Sequence, residues 1–296
     1  MKEKGSINYF KNEYLGRTLV TLCGLLIVAT TLAIIIFICQ KGIQSFTDSK
    51  ISIADMLSSV HWSPGNKSYG ALVFIAGSTA VSLGAVIIAA PIGIAIAIFN
   101  NHIAPRFGSK FLKPVLELLV GIPSVVYGFL GVTILVPLLR DNFGGVGFSL
   151  IAGIIVLSIM ILPTIASIAD DAIRGVSPSY LEASLGLGST RWQAVSRIVV
   201  PAAKKGILTG VVLGLARAFG EALAVQMVIG NTVKLPDSLY SPTSTLTGIL
   251  SMDMSNTING TAWNNVLWTL AMILLLISFL FILLIRLIGK KGAHEA

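Results

Sequence analysis

Charge is what this sequence has least of. Asp, Glu, Lys and Arg make up 11% of its 296 residues while hydrophobic residues make up 54%, against about 25% charged residues in a typical soluble domain. That balance excludes an ordinary soluble enzyme and puts most of the chain in lipid. Cysteine is almost missing: Cys23 and Cys39 both lie in or at the end of the first apolar run, where they form neither a disulfide framework nor a metal spacing. Histidine is as scarce, and His61, His102 and His294 fall in separate segments, so no two sit on one helix as metal ligands do. No G-x-x-x-x-G-K-[ST] stretch occurs, and Gly289-Lys290 has neither the upstream glycine nor the strand-to-helix setting of a phosphate-cradling loop. The chain is therefore expected to bind no cofactor or metal and to have no catalytic residues. Its net charge of +8 is scattered around the apolar runs rather than gathered on one face, which speaks against nucleic acid.

What is present is a set of long apolar runs. Each of six segments is long enough to cross about 30 Å of hydrocarbon as a helix of about 20 residues: Thr18 to Ile38, Gly70 to Phe99, Val115 to Leu139, Phe148 to Ala169, Gly206 to Ile229 and Val266 to Ile288. The expected fold is all-α, a polytopic membrane protein with six transmembrane helices. The first run lacks a convincing small-residue cleavage site and reads as a retained anchor. The second holds Pro91 and many small residues, which suggests a kinked helix packed against protein. Cations set the orientation. With both termini inside, the inner face collects Lys2, Lys4, Lys11, Arg17, Arg106, Lys110, Lys113, Arg174, Arg191, Arg197, Lys204, Lys205, Arg286, Lys290 and Lys291; the outer face keeps Lys41, Lys50, Lys67, Arg140 and Lys234. This gives a cytoplasmic segment 1–17, a membrane unit 18–288 with a cytoplasmic loop 170–205 and outer loops 40–69 and 231–265, and a cytoplasmic tail 289–296. Pro236, Pro242 and a Thr-rich run make the second outer loop a structured or re-entrant segment more than a linker.

The cytoplasmic loop is polar and helix-forming in a chain that otherwise avoids polarity. Ser177-Pro178 is an N-cap and first-turn pair, Gly186 or Gly188 suits the following reversal, and Ser189 or Thr190 caps a second helix. That helix has an apolar face of Trp192, Ala194, Val195 and Ile198, and Pro201 marks a bend before the fifth span. In the fifth span Gly206, Gly210, Gly214, Arg217 and Glu221 recur every three or four residues and form one stripe, a helix-helix seam that carries both charges of the span. Arg217 lies about 16 Å along the helix from Gly206, near mid-membrane. There an arginine costs at least about 2.5 to 3.5 kcal/mol, so it should face a wet cavity or a partner, with Glu221 one turn outward the obvious one. A buried structural ion pair is the alternative reading of the two. Glu117, shallow in the third span, is expected to pair locally with Lys113.

The spacing Glu182-Ala183-Ser184, three residues, Gly188, nine residues, Ile198-x-Val200-Pro201 resembles the EAA loop of ABC-importer permeases, E-A-A-x3-G-x9-I-x-L-P. In that family the loop is the coupling helix that docks on a cytoplasmic ATPase. "LARAFGEALAVQMVIGN" (215–231), "PVLELLVGIPSVVYGFLG" (114–131) and "HWSPGNKSYGALVFIAGSTAVS" (61–82) narrow the resemblance to the phosphate-specific ABC permeases. The W-x-P outer loop, the "PTSTLTGIL" loop (242–250) and Gly230-Asn231 favour the PstC type over PstA. Ala222 departs from the family, which commonly has Thr after the Glu.

The resemblance implies the type I ABC-importer permease fold and a place in an ATP-driven phosphate importer of the bacterial plasma membrane. Its partners would be a PstA-like permease subunit, two copies of a PstB-like ATPase and a PstS-like phosphate-binding protein, with membrane lipid around them. ATP and Mg would be used by the partner ATPase. It also implies Arg217 and Glu221 on the substrate path, and Glu182, Ala183, Gly188, Ile198 and Pro201 in ATPase coupling. An importer for another oxyanion or small solute, or an ATP-independent secondary transporter, is the alternative.

Overall fold

The computed structural model describes residues 3–49 and 51–291. Lys2, Lys50, His294 and the tail beyond residue 291 lie outside the described residues. The principal helices in chain order are α1 (Glu3–Thr47), α2 (Leu72–Ile98), α3 (Lys113–Gly121), α4 (Ser124–Phe143), α5 (Leu150–Arg174), α6 (Pro178–Gly186), α7 (Arg191–Ala202), α8 (Lys204–Gly220), α9 (Leu223–Ile229), α10 (Leu246–Asp253) and α11 (Ala262–Lys291). Among the described residues five helices are long and apolar enough to cross a membrane, within α1, α2, α4, α5 and α11; α7 and α8, bent by 66°, make a sixth if counted as one. This is the all-α, six-span architecture expected from hydropathy.

The spans differ widely in burial. The apolar stretch of α1 is 0% buried, a face left for lipid or another chain, whereas that of α5 is 61% buried. Around α5 the core joins Leu157, Ile161 and Ile165 to Val81, Ala85 and Ala89 of α2 and to Leu215, Ala218 and Phe219 of α8. α1 touches the rest through its outer end, where Thr269 of α11 donates to the Gly42 carbonyl at 2.6 Å and Phe37 meets Trp268 edge-on at 5.3 Å. α2 runs through Pro91 without ending and closes in a wider, π-type turn at Phe99–Ile103.

Two spans differ from the reading of hydropathy. The third does not run from Val115 to Leu139. α3 stops at Gly121, Ile122 is extended (φ −70°, ψ 127°), and the crossing helix starts after Pro123. The cause is local: proline has no N–H and pushes the residue before it out of the helical region. The fifth span breaks as well. α8 ends at Gly220, Glu221 is extended (φ −75°, ψ 124°), and α9 begins at Leu223.

The stretch 231–265 turns back into the protein. Its residues Thr243, Ser244, Thr245 and Thr247 are buried. Thr243 N–H donates to the Ile229 carbonyl, Thr245 caps α10 through Gly248 N–H, and Leu246 N–H donates to Ser78 Oγ of α2 at 2.8 Å. Leu246 and Ile249 pack with Phe74, Val266, Leu267 and Leu270. The Thr243, Thr245 and Thr247 hydroxyls have partners in the Lys234 carbonyl, the Gly248 N–H and the Glu221 carbonyl, which make their burial tolerable. The run 243–247 is thus an inserted wedge, and the outward-facing parts of the loop are its flanks.

At the outer end of α10, burial raises the Asp253 carboxyl above its ordinary 3.8, partly offset by the Trp62 and Trp263 side chains; Trp263 Nε1 itself lies outside hydrogen-bond geometry. A raised carboxyl pKa favours the protonated folded state. Its stabilisation is therefore complete below the unfolded pKa and is lost as pH rises through the folded value. Asp253→Asn should flatten the acid-side slope of stability, measured as thermal midpoints in detergent across that window; an unchanged slope would show that Asp253 does not contribute.

Candidate functional site

The glycine stripe of α8 does what small residues allow. A Cβ on Gly206 would lie 2.4 Å from Ala172 Cβ, one on Gly210 would lie 3.2 Å from the Ile165 carbonyl, and one on Gly214 would lie 2.6 Å from Ile165 Cγ1. The stripe is therefore the seam between α8 and α5, and it leads directly to Arg217 one turn further on. There the facing residue is Thr164, and Arg217 Nη1 donates to its hydroxyl at 3.0 Å.

The expected partnership of Arg217 with Glu221 is not formed. The ion pairs among the described residues are Arg140–Asp141, Arg174–Asp170 and Lys234–Asp237. Pairing at four-residue spacing needs a helix through both residues, and α8 ends between them. Glu221 Oε1 instead accepts the Ala224 N–H of α9 at 3.1 Å, and the Glu221 carbonyl accepts the Thr247 hydroxyl at 2.9 Å. The arrangement is a half-buried guanidinium with one neutral hydroxyl partner, next to a helix break whose carboxylate is occupied elsewhere. Such a group can offer its remaining N–H donors to an anion as a planar fork.

Thr164 and Thr247 were not visible as site residues in the sequence. Thr164 is a lone threonine after Pro163 in an apolar span, and Thr247 belongs to a run that reads as outer loop. Glu117 stands on α3, ahead of the third crossing, and makes no ion pair with Lys113; both border a small cleft with Asn100, Ser167 and Asp170. Close by, the buried Asp170 carboxylate takes Arg174 Nη2 at 2.8 Å and Asn101 Nδ2 at 2.9 Å. It joins the C-terminal ends of α2 and α5, and a buried carboxylate requires such partners.

The 170–205 loop follows its local signals, except that the Ser177 hydroxyl meets Ser179 rather than capping α6. Ser177 precedes Pro178 at the first turn of α6, Gly188 takes φ +82°, and Thr190 with Gln193 forms a reciprocal capping box on α7. Ser184 Oγ and Ser189 Oγ, 2.6 Å apart, tie the two helices together. Ala194, Val195 and Val199 are buried, the last against Ala97, Ala169 and Ile173. Trp192, expected on the apolar face, is instead 61% exposed and borders an open cleft with Ile98, His102 and Val195. Glu182, Ala183, Gly188 and Pro201 are exposed, Ile198 is half-buried, and Leu187 is 91% exposed. The 66° bend follows Pro201, between Ala202 and Lys204. The loop thus stands on the helix bundle through α7 and presents α6 and an apolar tip outward.

The comparisons with known proteins agree with this architecture. A family model described as "Binding-protein-dependent transport system inner membrane component" matches residues 89–292. A Bacillus subtilis protein described as a probable ABC transporter permease, YqgH, is 52% identical over 283 residues, covering 95% of this chain and 92% of its own. The phosphate transport system permease PstC of Mesorhizobium japonicum is 34% identical over 262 residues, covering 80% of each chain. Among solved structures, a chain of a bacterial alginate ABC transporter in complex with an alginate pentasaccharide-bound periplasmic protein superposes with TM-score 0.64 at 14% identity, over 96% of both chains. At that identity the likeness is one of fold.

Proposed function

This chain belongs to the family of binding-protein-dependent transport system inner membrane components, and on that premise we propose that it is the PstC-like subunit of an ATP-driven phosphate importer. It is a multi-pass inner-membrane permease subunit of an ABC importer. In our reading both termini are cytoplasmic, a PstA-like subunit supplies the other half of the path, and two PstB-like ATPase subunits, which use ATP and Mg, dock on the 170–205 loop. A PstS-like phosphate-binding protein delivers the anion to the outer face. This chain binds no cofactor of its own.

The observation that carries the phosphate reading is Arg217, a guanidinium at the seam of two spans that shares one donor with Thr164 and is not neutralised by Glu221. Phosphate matches that fork, and the nearby carboxylate limits how firmly the anion is held, as a conducting site requires. Rocking of the two subunits by the ATPases would expose Arg217 outward and then inward. The test is uptake of radiolabelled inorganic phosphate in cells whose only importer contains this chain. Arsenate, of the same shape and charge, should compete and sulfate should not; equal competition by sulfate would favour an importer of broader oxyanion range.

The coupling role rests on α6 and its exposed tip. Gly188 has a left-handed φ and nothing within 4 Å of an added Cβ, so Gly188→Val should act through backbone strain alone, about 1–2 kcal/mol. Membrane insertion should be normal while ATPase association or ATP-dependent uptake falls several-fold. Normal association together with normal uptake would remove this loop from the coupling surface.

A further inference from the structure

The break between α8 and α9 leaves backbone groups that a continuous helix would have satisfied. In an unbroken helix the Glu221 carbonyl would take the Val225 N–H, and every carbonyl freed at a helix end needs another donor. Here that donor is the Thr247 hydroxyl, 2.9 Å away and reaching in from α10. Thr247 is held in place independently of Glu221. Its helix is capped by Thr245, pinned to α2 through Ser78, and packed so closely that a Cβ on Gly77 would lie 2.1 Å from the Ser244 carbonyl.

The consequence concerns the anion station. If the break healed, Glu221 would follow Arg217 by one helical turn on the same face, the geometry in which Arg and Glu pair. An anion would then compete with a covalently tethered carboxylate for the guanidinium. We infer that Thr247 is a positioning residue: its hydroxyl keeps the helix broken at Glu221, holds the carboxylate off Arg217, and so leaves the guanidinium free for the transported anion. The inference rests on the reading of Arg217 as the anion station and assigns the inserted wedge a part in it. Ala222, which offers no hydroxyl at the junction, leaves the task to another element.

The experiment measures initial rates of radiolabelled inorganic phosphate uptake by the intact complex in cells, with complex yield followed in parallel. Thr247→Val removes the hydroxyl and keeps the shape. The apparent KM for phosphate should rise about threefold to tenfold, the range one hydrogen bond supports, with the maximal rate per complex changed less than KM. Thr247→Ser, which keeps a hydroxyl, should restore KM. The deciding variant is Thr247→Val in a Glu221→Gln background, where no carboxylate competes and the substitution should no longer move KM. An unchanged KM in Thr247→Val, or an equal rise in both backgrounds, overturns the inference. If Thr247→Val lowers yield, the comparison of Thr247→Ala with Thr247→Ser on the same KM decides, a raised value in Ala alone supporting the inference and equal values overturning it. Failure of the underlying reading looks different: Arg217→Ala would then transport phosphate normally, whatever Thr247 does.

Discussion

Arg217→Ala should reduce phosphate uptake about tenfold to a hundredfold with the complex still assembled, the cost of removing a charged hydrogen-bond donor from its ligand. The substitution takes away the positive station and leaves Glu221 beside the path, so an approaching anion meets a carboxylate and no cation. Glu221→Gln should also lower flux, for the opposite reason: with the neighbouring negative charge removed, the anion stays longer on Arg217. The charge swap, Arg217→Glu with Glu221→Arg, separates this from a structural role. A pair that only glues helices together would regain yield and uptake on swapping. Because the two side chains have different partners here, Thr164 for one and Ala224 N–H for the other, the swap should not recover uptake. Uptake with normal phosphate selectivity in the swapped protein would sink the station.

The second large effect is expected at Gly77, a residue with no charge and no part in the path. A Cβ there would lie 2.1 Å from the Ser244 carbonyl oxygen, a backbone atom that has no rotamer to move. Gly77→Ala should therefore push the 243–247 wedge out of its seat and cost about 3 kcal/mol or more, the upper end of overpacking. Gly153→Ala is the matched control. It also sits inside a buried span, but its added Cβ meets nothing nearer than 3.6 Å. The measurement is the thermal midpoint and yield of the purified complex in detergent, expected to fall sharply for Gly77→Ala and to hold for Gly153→Ala. Equal midpoints would mean that the wedge is not seated between α2 and α9. By the same geometry, deletion of Thr243 to Thr247 should disrupt assembly as a whole, since it removes buried hydrogen bonds to α2, α9 and the helix break.

The sequence by itself determined the features that depend on local chemistry or on transfer into lipid. Six apolar runs of spanning length could satisfy their backbones only as helices, so their number was readable from hydropathy. The reversal in the 170–205 loop was readable from Pro178, Gly188 and Thr190, whose conformational preferences act within a few residues. The seam of α8 was readable too, because Gly206, Gly210 and Gly214 fall on one face at helical spacing. Tertiary structure alone decided what happens beyond Gly220. Hydropathy carries no sign that the fifth span breaks at Glu221, since the residues on both sides are as apolar as those in an unbroken helix. The break is tolerated because a segment 26 residues away in sequence brings a hydroxyl to the freed carbonyl. Pro236, Pro242 and the threonines pointed to a structured or re-entrant segment but not to which hydroxyls are buried, for a hydroxyl is polar in sequence and becomes compatible with a protein interior only when its partner is in place. That long-range pairing, which no local preference encodes, is what holds Arg217 and Glu221 apart.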